Sequence, residues 1–389
     1  MDKVNRITAN TEEIVTPEEL KTVLGKSKPK AYIGFEPSGI VHLGWKICTN
    51  KIKDFIDCGF DFTVLLADWH AYINDKLGGD LEKIKLCGEY MKDCFAAMGV
   101  DKDKVRFVYA SDYVNDPGYW ELVLRTAKSM SVARVKRAMD IMGRSAEEAE
   151  KDLSKLFYPA MQVSDIFYLD LDAAYGGMDQ RRAHMLAREV SKKLGRKTPV
   201  AVHTPLLTGL QAGGRMNSIE VDRKKSEIGK YHIQSQTILD ADKQKSKIDL
   251  PHPGGSAWKM SKSKPDSMIS IHDDPESTEK KISKAFCPEK QIEGNPVLEI
   301  CKYIIFPELK DESFLIERPK NFGEGLEFSN YQELEKAFVK GPRRPKGLHP
   351  LDLKNTTASH INRILEPVHR YFEKHPENYD KMKDVGIIQ

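Results

Sequence analysis

Apolar residues recur at two spacings in the first half of the chain. Short runs at Lys30–Phe35, Phe60–Ala67, Val105–Ser111, Asp172–Gly176 and Pro199–Leu207 are almost continuously apolar and bounded by Gly, Asp, Asn or Pro. Such runs read as strands buried on both faces. Between most of them the apolar positions fall at helical spacing, so strands alternate with helices. That order predicts an α/β fold in which a five-stranded parallel sheet is covered by helices.

Between the third and fourth strands lies a helical insertion, about 116–155, where Val135, Met139 and Met142 share one face while Arg134, Arg137 and Arg144 project from another. A subunit contact and an acceptor for an anionic partner both fit that pattern. Residues 211–258 are rich in Lys, Ser, Gln, Asp and Gly without clear apolar periods and read as a polar insertion. From Pro275 onward the pattern is helical, with loops at Arg318–Gly325 and Gly341–Pro350. Two domains are therefore expected, 1–274 and 275–389.

Composition adds limits. The 389 residues carry 61 Lys and Arg against 58 Asp and Glu, which excludes a polybasic or polyacidic chain. The longest apolar stretch, near Phe62–Ala67, is far too short to cross a bilayer, and the first residues are polar where a signal peptide would be apolar. A cytoplasmic protein is expected. The six cysteines have neither CxxC nor Cys/His zinc spacing and read as reduced structural thiols, so no protein-bound metal is expected. Basic residues do gather locally, at Lys340, Arg343, Arg344 and Lys346, as they would for a polyanion.

Parallel sheets bind ligands beyond the carboxyl ends of their strands, so motifs located there carry most weight. After the first strand comes Gly34-Phe35-Glu36-Pro37-Ser38-Gly39-Ile40-Val41-His42-Leu43-Gly44, a glycine-rich turn into a helix suited to phosphate. His42 can donate to a phosphate oxygen and Gly44 leaves room for a flat base. HxG alone should arise about 0.7 times by chance in this composition, so its context decides. Lys259-Met260-Ser261-Lys262-Ser263 has a chance occurrence of about one in two thousand, and its paired lysines can neutralise a triphosphate during displacement.

A third pattern is subtler. Tyr158, Gln162 and Asp165 are spaced i, i+4, i+7 on an otherwise apolar helix and fall within an arc of about 60°. A narrow polar stripe of this kind is satisfied by a polar small molecule or by an internal hydrogen-bond network. Fourth, Gly176-Gly177-Met178-Asp179-Gln180 closes the fourth strand and opens the next helix, with Asp179 suited to ribose hydroxyls.

In this order, the blocks YIGFEPSGIVHLG, FYPAMQVSDI, GGMDQRRAHMLARE, LLTGL, KMSKSKP, FCP with EGNP, and LHPLDLKN closely resemble the class I aminoacyl-tRNA synthetases, most closely the tyrosyl branch of the archaeal and eukaryotic type. The resemblance runs from about residue 30 to about residue 372, apart from 211–258. It implies a Rossmann-like catalytic domain with a helical insertion, then an all-α anticodon-binding domain, and a homodimer. It implies ATP, with Mg²⁺ carried by the nucleotide, as substrate for tyrosyl-adenylate formation, followed by transfer of tyrosine to the 3′ end of tRNA(Tyr).

Carried over position by position, His42, Lys259 and Lys262 match the catalytic groups at ATP. Gly34, Gly44, Gly177, Asp179, Ser261 and Ser263 match nucleotide-binding positions. Tyr158, Gln162 and Gln180 match those that hold the α-amino group, and Tyr32 and Asp165 those that read the phenolic hydroxyl. Arg181 and Arg137 lie where the family reads the acceptor end, while Phe322 and His349 match a stacking pair around the first anticodon base, with Asp352 accepting from guanine. The chain departs from the class signature at Trp45, where a second histidine is common. Two alternatives stand beside this reading. A tryptophanyl enzyme would share the ATP motifs, and a catalytically silent RNA-binding paralogue would have no need of intact His42 and lysines.

Overall fold

The computed structural model describes residues 2–142, 152–211, 260, 265–310, 312–318 and 324–388. Six strands form the main sheet: β1 (Glu13–Val15), β2 (Lys30–Phe35), β3 (Asp61–Leu66), β4 (Val105–Tyr109), β5 (Ala173–Gly177) and β6 (Val200–Thr204). Their order is β1-β6-β5-β2-β3-β4, and five are parallel, as the alternating pattern predicts. The sixth, β1, joins the edge antiparallel to β6. Three half-buried residues carry too little periodicity to be read as a strand; pairing with β6 makes them one.

The central strands β2, β3, β5 and β6 are largely buried on both faces because helices cover both. Ala31 and Ile33 of β2, Phe62, Val64 and Leu66 of β3, and Ala173 and Tyr175 of β5 enter one core cluster, shared with the helices Trp45–Asp57 and Leu81–Ala97. The alternate residues Tyr32, Leu65 and Ala174 enter the other, shared with the helices Pro117–Lys128, Ser154–Tyr168 and Arg181–Lys193. Tyr32 is thereby directed at the helix that carries the polar stripe. In the insertion, Met139 and Met142 are buried and Arg137 is exposed, as the spacing of residues 135–142 predicts; Arg144 lies outside the described residues.

The chain runs β2, β3, β4 toward one edge and β5, β6 toward the other. Strand order reverses between β2 and β5, and a crevice opens at their carboxyl ends. Gly34 lies next to the last residue of β2 and Gly177 ends β5, so the topology brings two of the sequence motifs together.

The C-terminal part is mainly helical, built on Pro275–Lys284, Tyr331–Lys340, the long Pro350–Lys374 and Glu377–Asp384. It also holds an antiparallel pair, β7 (Phe314–Ile316) with β8 (Leu326–Phe328), so it is not wholly α. Phe314 and Ile316 are buried while Leu315 is exposed, a period of two too short to register in the sequence. The residues expected as a loop at 318–325 lie between these two strands. Among the described residues no helix is long and apolar enough to cross a membrane.

Candidate active site

A cleft of about 820 Å³ opens at the β2/β5 switch point, and Tyr32, Gly34, His42, Gly44, Tyr158, Gln162, Asp165, Gly177, Asp179 and Gln180 all line it. Residues from three separate sequence motifs thus line one cleft. Met260 lines it as well, its N–H donating to the Leu207 carbonyl at 2.8 Å. Lys259, Ser261, Lys262 and Ser263 lie outside the described residues, as does the polar insertion 212–258.

The polar stripe on the helix Ser154–Tyr168 is only partly satisfied within the protein. Asp165 is 1% exposed. Its Oδ1 accepts from the hydroxyls of Tyr113 at 2.9 Å and Tyr119 at 2.8 Å. Its Oδ2 lies 3.2 Å from Nε2 of the buried His70, close enough for attraction but outside hydrogen-bond geometry, and has no hydrogen-bond partner among the described residues. Burial raises the Asp165 pKa, opposed by His70 and the two tyrosines. Burial also raises the Tyr32 pKa, and the Asp165 charge adds to it, so this hydroxyl keeps its proton.

One turn back, Gln162 Nε2 donates to Gln180 Oε1 at 3.0 Å, while Gln162 Oε1 is buried without a partner among the described residues. Tyr158 donates its hydroxyl proton to Glu36 Oε1 at 2.7 Å. The same carboxylate accepts from Asn74 Nδ2 at 3.0 and 3.1 Å and lies 3.5 Å from Lys76 Nζ. Sequence reasoning missed Glu36, although it stands inside the first quoted block. A carboxylate immediately after β2, at the strand end where ligands bind, was the available signal. It also missed His70, Tyr113 and Tyr119, which carried none.

At the other end of the cleft, the Gly44 N–H donates to His42 Nδ1 at 3.1 Å, which assigns the ring proton to Nε2 in the neutral imidazole. A Cβ at position 44 would meet the His42 ring at 2.8 Å, so glycine is required for this placement. Trp45 is not a phosphate ligand but a core aromatic, its ring 4.3 Å from Phe35 and 5.3 Å from Phe95. The His42 segment is held by backbone bonds to residues that follow the lysine motif in sequence: Leu43 N–H to the Ile269 carbonyl, 2.8 Å, and Ile271 N–H to the Val41 carbonyl, 3.1 Å. Among the described residues no group of three His, Cys, Asp or Glu side chains is arranged to hold a metal ion.

The remaining residues singled out from sequence lie outside the cleft. Arg181 is clamped by Glu13 of β1, Nε to Oε2 at 2.7 Å and Nη2 to Oε1 at 2.9 Å. His203 Nδ1 also meets Glu13 Oε2 at 3.1 Å, and His203 Nε2 meets His184 Nδ1 at 3.0 Å. The hydrogen bond to His203, then the Arg181 guanidinium, hold Glu13 down at about 2 against the effect of burial. The exposed Arg137 offers its carbonyl to Arg182 Nη1 at 3.1 Å, placing it near Arg181's helix. Far along the chain, His349 caps the Pro350–Lys374 helix, its Nδ1 accepting from Leu351 N–H at 3.0 Å with the ring exposed. Asp352, in that helix's first turn, accepts from Arg318 Nε at 2.8 Å. Phe322 lies outside the described residues.

Comparison with known proteins bears directly on this arrangement. The family described as tRNA synthetases class I (W and Y) matches residues 25–231 and 251–366. A tyrosine–tRNA ligase of Sulfurisphaera tokodaii is 50% identical over 378 residues, covering 97% of this chain and 94% of that protein. Among solved structures, a tyrosyl-tRNA synthetase of Pyrococcus horikoshii complexed with L-tyrosine is similar with TM-score 0.81 and 39% identity, covering 99% of this chain and all of that one (100%). A tyrosyl-tRNA synthetase of Aeropyrum pernix is similar with TM-score 0.79 and 42% identity, over 98% and 97% of the two chains.

Proposed function

Because the chain belongs to the class I tRNA synthetases of the tryptophan and tyrosine group and acts as a tyrosine–tRNA ligase with ATP as substrate, we propose how its residues divide that work. The observation that carries the proposal is a pair of buried oxygens, Asp165 Oδ2 and Gln162 Oε1, that have no hydrogen-bond partner among the described residues and belong to side chains lining one cleft. Both are acceptors. Tyrosine supplies a donor at each end, the phenolic hydroxyl and the ammonium group.

Asp165 Oδ2 takes the phenol proton, with the Tyr32 hydroxyl as second partner. Because Asp165 Oδ1 is already committed to Tyr113 and Tyr119, the carboxylate is held in one orientation. The ammonium group lies among Gln162 Oε1, Gln180 and the Tyr158 oxygen, whose own proton is spent on Glu36. Glu36 contributes its negative charge behind that tyrosine. Indole offers N–H but is larger, and phenylalanine would leave Asp165 Oδ2 buried and unpaired at a cost of about 1–3 kcal/mol.

ATP occupies the His42–Gly44 end as its magnesium complex, the cation carried by phosphate and water oxygens. His42 Nε2–H donates to a phosphate oxygen; Gly34, Gly44 and Gly177 give the nucleotide close backbone approach, and Asp179 accepts from ribose. The tyrosine carboxylate attacks the α-phosphorus in line, the bond to the bridging oxygen breaks, and pyrophosphate leaves against Lys259 and Lys262, assisted by Ser261 and Ser263. In the second step the terminal ribose hydroxyl of tRNA(Tyr) attacks the adenylate carbonyl and AMP departs. Positioning and charge stabilisation suffice for both steps.

For tRNA, Arg181 and Arg137 are assigned to the acceptor end, with Glu13 setting the Arg181 guanidinium. Phe322, His349 and Asp352 are assigned to the anticodon, supported by the exposed basic run at Lys340, Arg343, Arg344 and Lys346 immediately before His349. The division of labour follows the chain, with catalysis in 1–274 and anticodon binding in 275–389. A homodimer through the insertion is supported by exposed Trp120, Leu124, Val132 and Leu153 on that stretch, and we propose the cytoplasm as the site of the reaction.

The test is tyrosine-dependent exchange of pyrophosphate into ATP with each of the twenty amino acids. Tyrosine alone is expected to support exchange. Exchange with tryptophan, or none at all, would overturn the assignment in favour of the two alternatives.

A further inference from the structure

Residues beyond Lys374 take no part in the scheme above, yet one of them, Ile387, lines the cleft. The helix Glu377–Asp384 packs on the helix Leu81–Ala97 of the catalytic part. It is fastened there by Asn378 Nδ2 to Asp93 Oδ2 at 2.7 Å, beside the Tyr371 hydroxyl on Asp93 Oδ1 at 3.1 Å. Met382 is fully buried.

Tyr379 stacks on His272, ring centroids 3.9 Å apart and planes 14° from parallel, and Phe372 meets the same imidazole edge-on at 4.6 Å. His272 Nε2 in turn shares a hydrogen bond with the Tyr90 hydroxyl at 2.8 Å, and that hydroxyl accepts from the Val41 N–H at 3.4 Å. Val41 and Ile271 flank the seam where His42 pairs with Ser270, in the segment that follows the lysine motif in sequence. A continuous path of contacts therefore leads from the C-terminal helix to the joint between the two nucleotide motifs.

The end of this helix is built rather than frayed. Gly386, at φ +69°, turns the chain; its N–H bonds the Lys383 carbonyl at 2.9 Å while Ile387 N–H bonds the Met382 carbonyl at 2.9 Å. This is the Schellman closure, which satisfies the last carbonyls and fixes the direction of the residue that follows. Here that residue is Ile387, and Ile388 behind it is 6% exposed.

We propose that the C-terminal helix Glu377–Asp384 and the residues after it are a positioning element of the nucleotide half of the cleft. Tyr379 clamps the seam behind His42 through His272 and Tyr90, and Ile387 supplies apolar wall at the mouth. This inference rests on the assignment of the His42 end to ATP.

The experiment measures pyrophosphate exchange in the full chain with single changes, fitting KM for ATP and for tyrosine separately, with a thermal melt of each variant. Ile387→Ala and deletion from Gly386 onward are expected to raise KM for ATP about five- to tenfold while KM for tyrosine stays within about twofold. Tyr379→Ala should match the deletion, and Tyr379→Phe, which keeps the stack, should match the parent. Unchanged KM for ATP in both Ile387→Ala and the deletion overturns the proposal. A parallel rise in both KM values with a lowered melting temperature also overturns it, since that marks general loosening. His42→Ala separates the two levels of argument. If it abolishes exchange while the tail variants behave as the parent, only the tail inference fails; if it retains full exchange, the nucleotide assignment beneath it fails.

Discussion

Asp165 illustrates how one side chain can be both structural and specific. Two tyrosine hydroxyls anchor one oxygen and leave the other without a hydrogen-bond partner among the described residues, so in the proposed assignment a phenol completes a network rather than competing with one. Asp165→Ala removes that acceptor and strands the Tyr113 and Tyr119 hydroxyls. It is expected to lower kcat/KM for tyrosine activation by about 10²-fold, with a much smaller effect on phenylalanine, so that discrimination shrinks. Exchange kinetics with both amino acids check this, and unchanged discrimination would remove Asp165 from the phenol site. The stripe Tyr158, Gln162, Asp165 was legible because helical geometry is local and periodic. Glu36, His70, Tyr113 and Tyr119 were not, because each is brought to the stripe from another element; Tyr158 and Glu36 are 122 positions apart.

At the scale of elements, the five parallel strands were legible because burial on both faces writes an apolar run into each. The short strands β1, β7 and β8 were not, since three residues cannot display a period and their identity lies in the partner strand. The junction of the helices Leu81–Ala97 and Glu377–Asp384 shows a different consequence of packing. His272, enclosed there and facing Tyr90, Tyr379, His369 and Lys383, has its pKa lowered from 6.5 to about 3, chiefly by burial and then by the charges of His369 and Lys383. The folded protein keeps it neutral while the unfolded chain protonates, so the unfolded state binds more protons between these values. Stability from this source is complete above pH 6.5 and declines as pH falls toward 3, by about 2 kcal/mol at pH 5. Glu13, lowered from 4.5 to about 2, acts in the same direction, its contribution present above pH 4.5 and lost below it. Urea unfolding at pH 7, 6 and 5 should show the decline in the parent and a shallower one in His272→Phe. Identical slopes would exclude His272 as a source.

Across the whole molecule, near-neutral charge conceals a local gathering of basic residues. The 61 basic and 58 acidic residues almost cancel, yet Lys340, Arg343, Arg344 and Lys346 are exposed together next to the helix that presents His349 and Asp352. The recognition proposed for that end should be separable from the chemistry proposed for the cleft. Asp352→Asn keeps an oxygen for Arg318 but loses the carboxylate, and it is expected to lower aminoacylation kcat/KM for tRNA(Tyr) by about 10- to 100-fold while exchange is unchanged. Equal losses in both half-reactions would point to a structural role. By itself the sequence determined the parallel sheet and the helical stripe, since each is written in contiguous residues whose spacing matches a strand or a helix. Tertiary structure alone decided which oxygens remain without partners, which carboxylate stands behind Tyr158, and that the last turn of the chain returns to the cleft. Those facts depend on contacts between segments far apart in sequence, and the free energy of such contacts has no local signature.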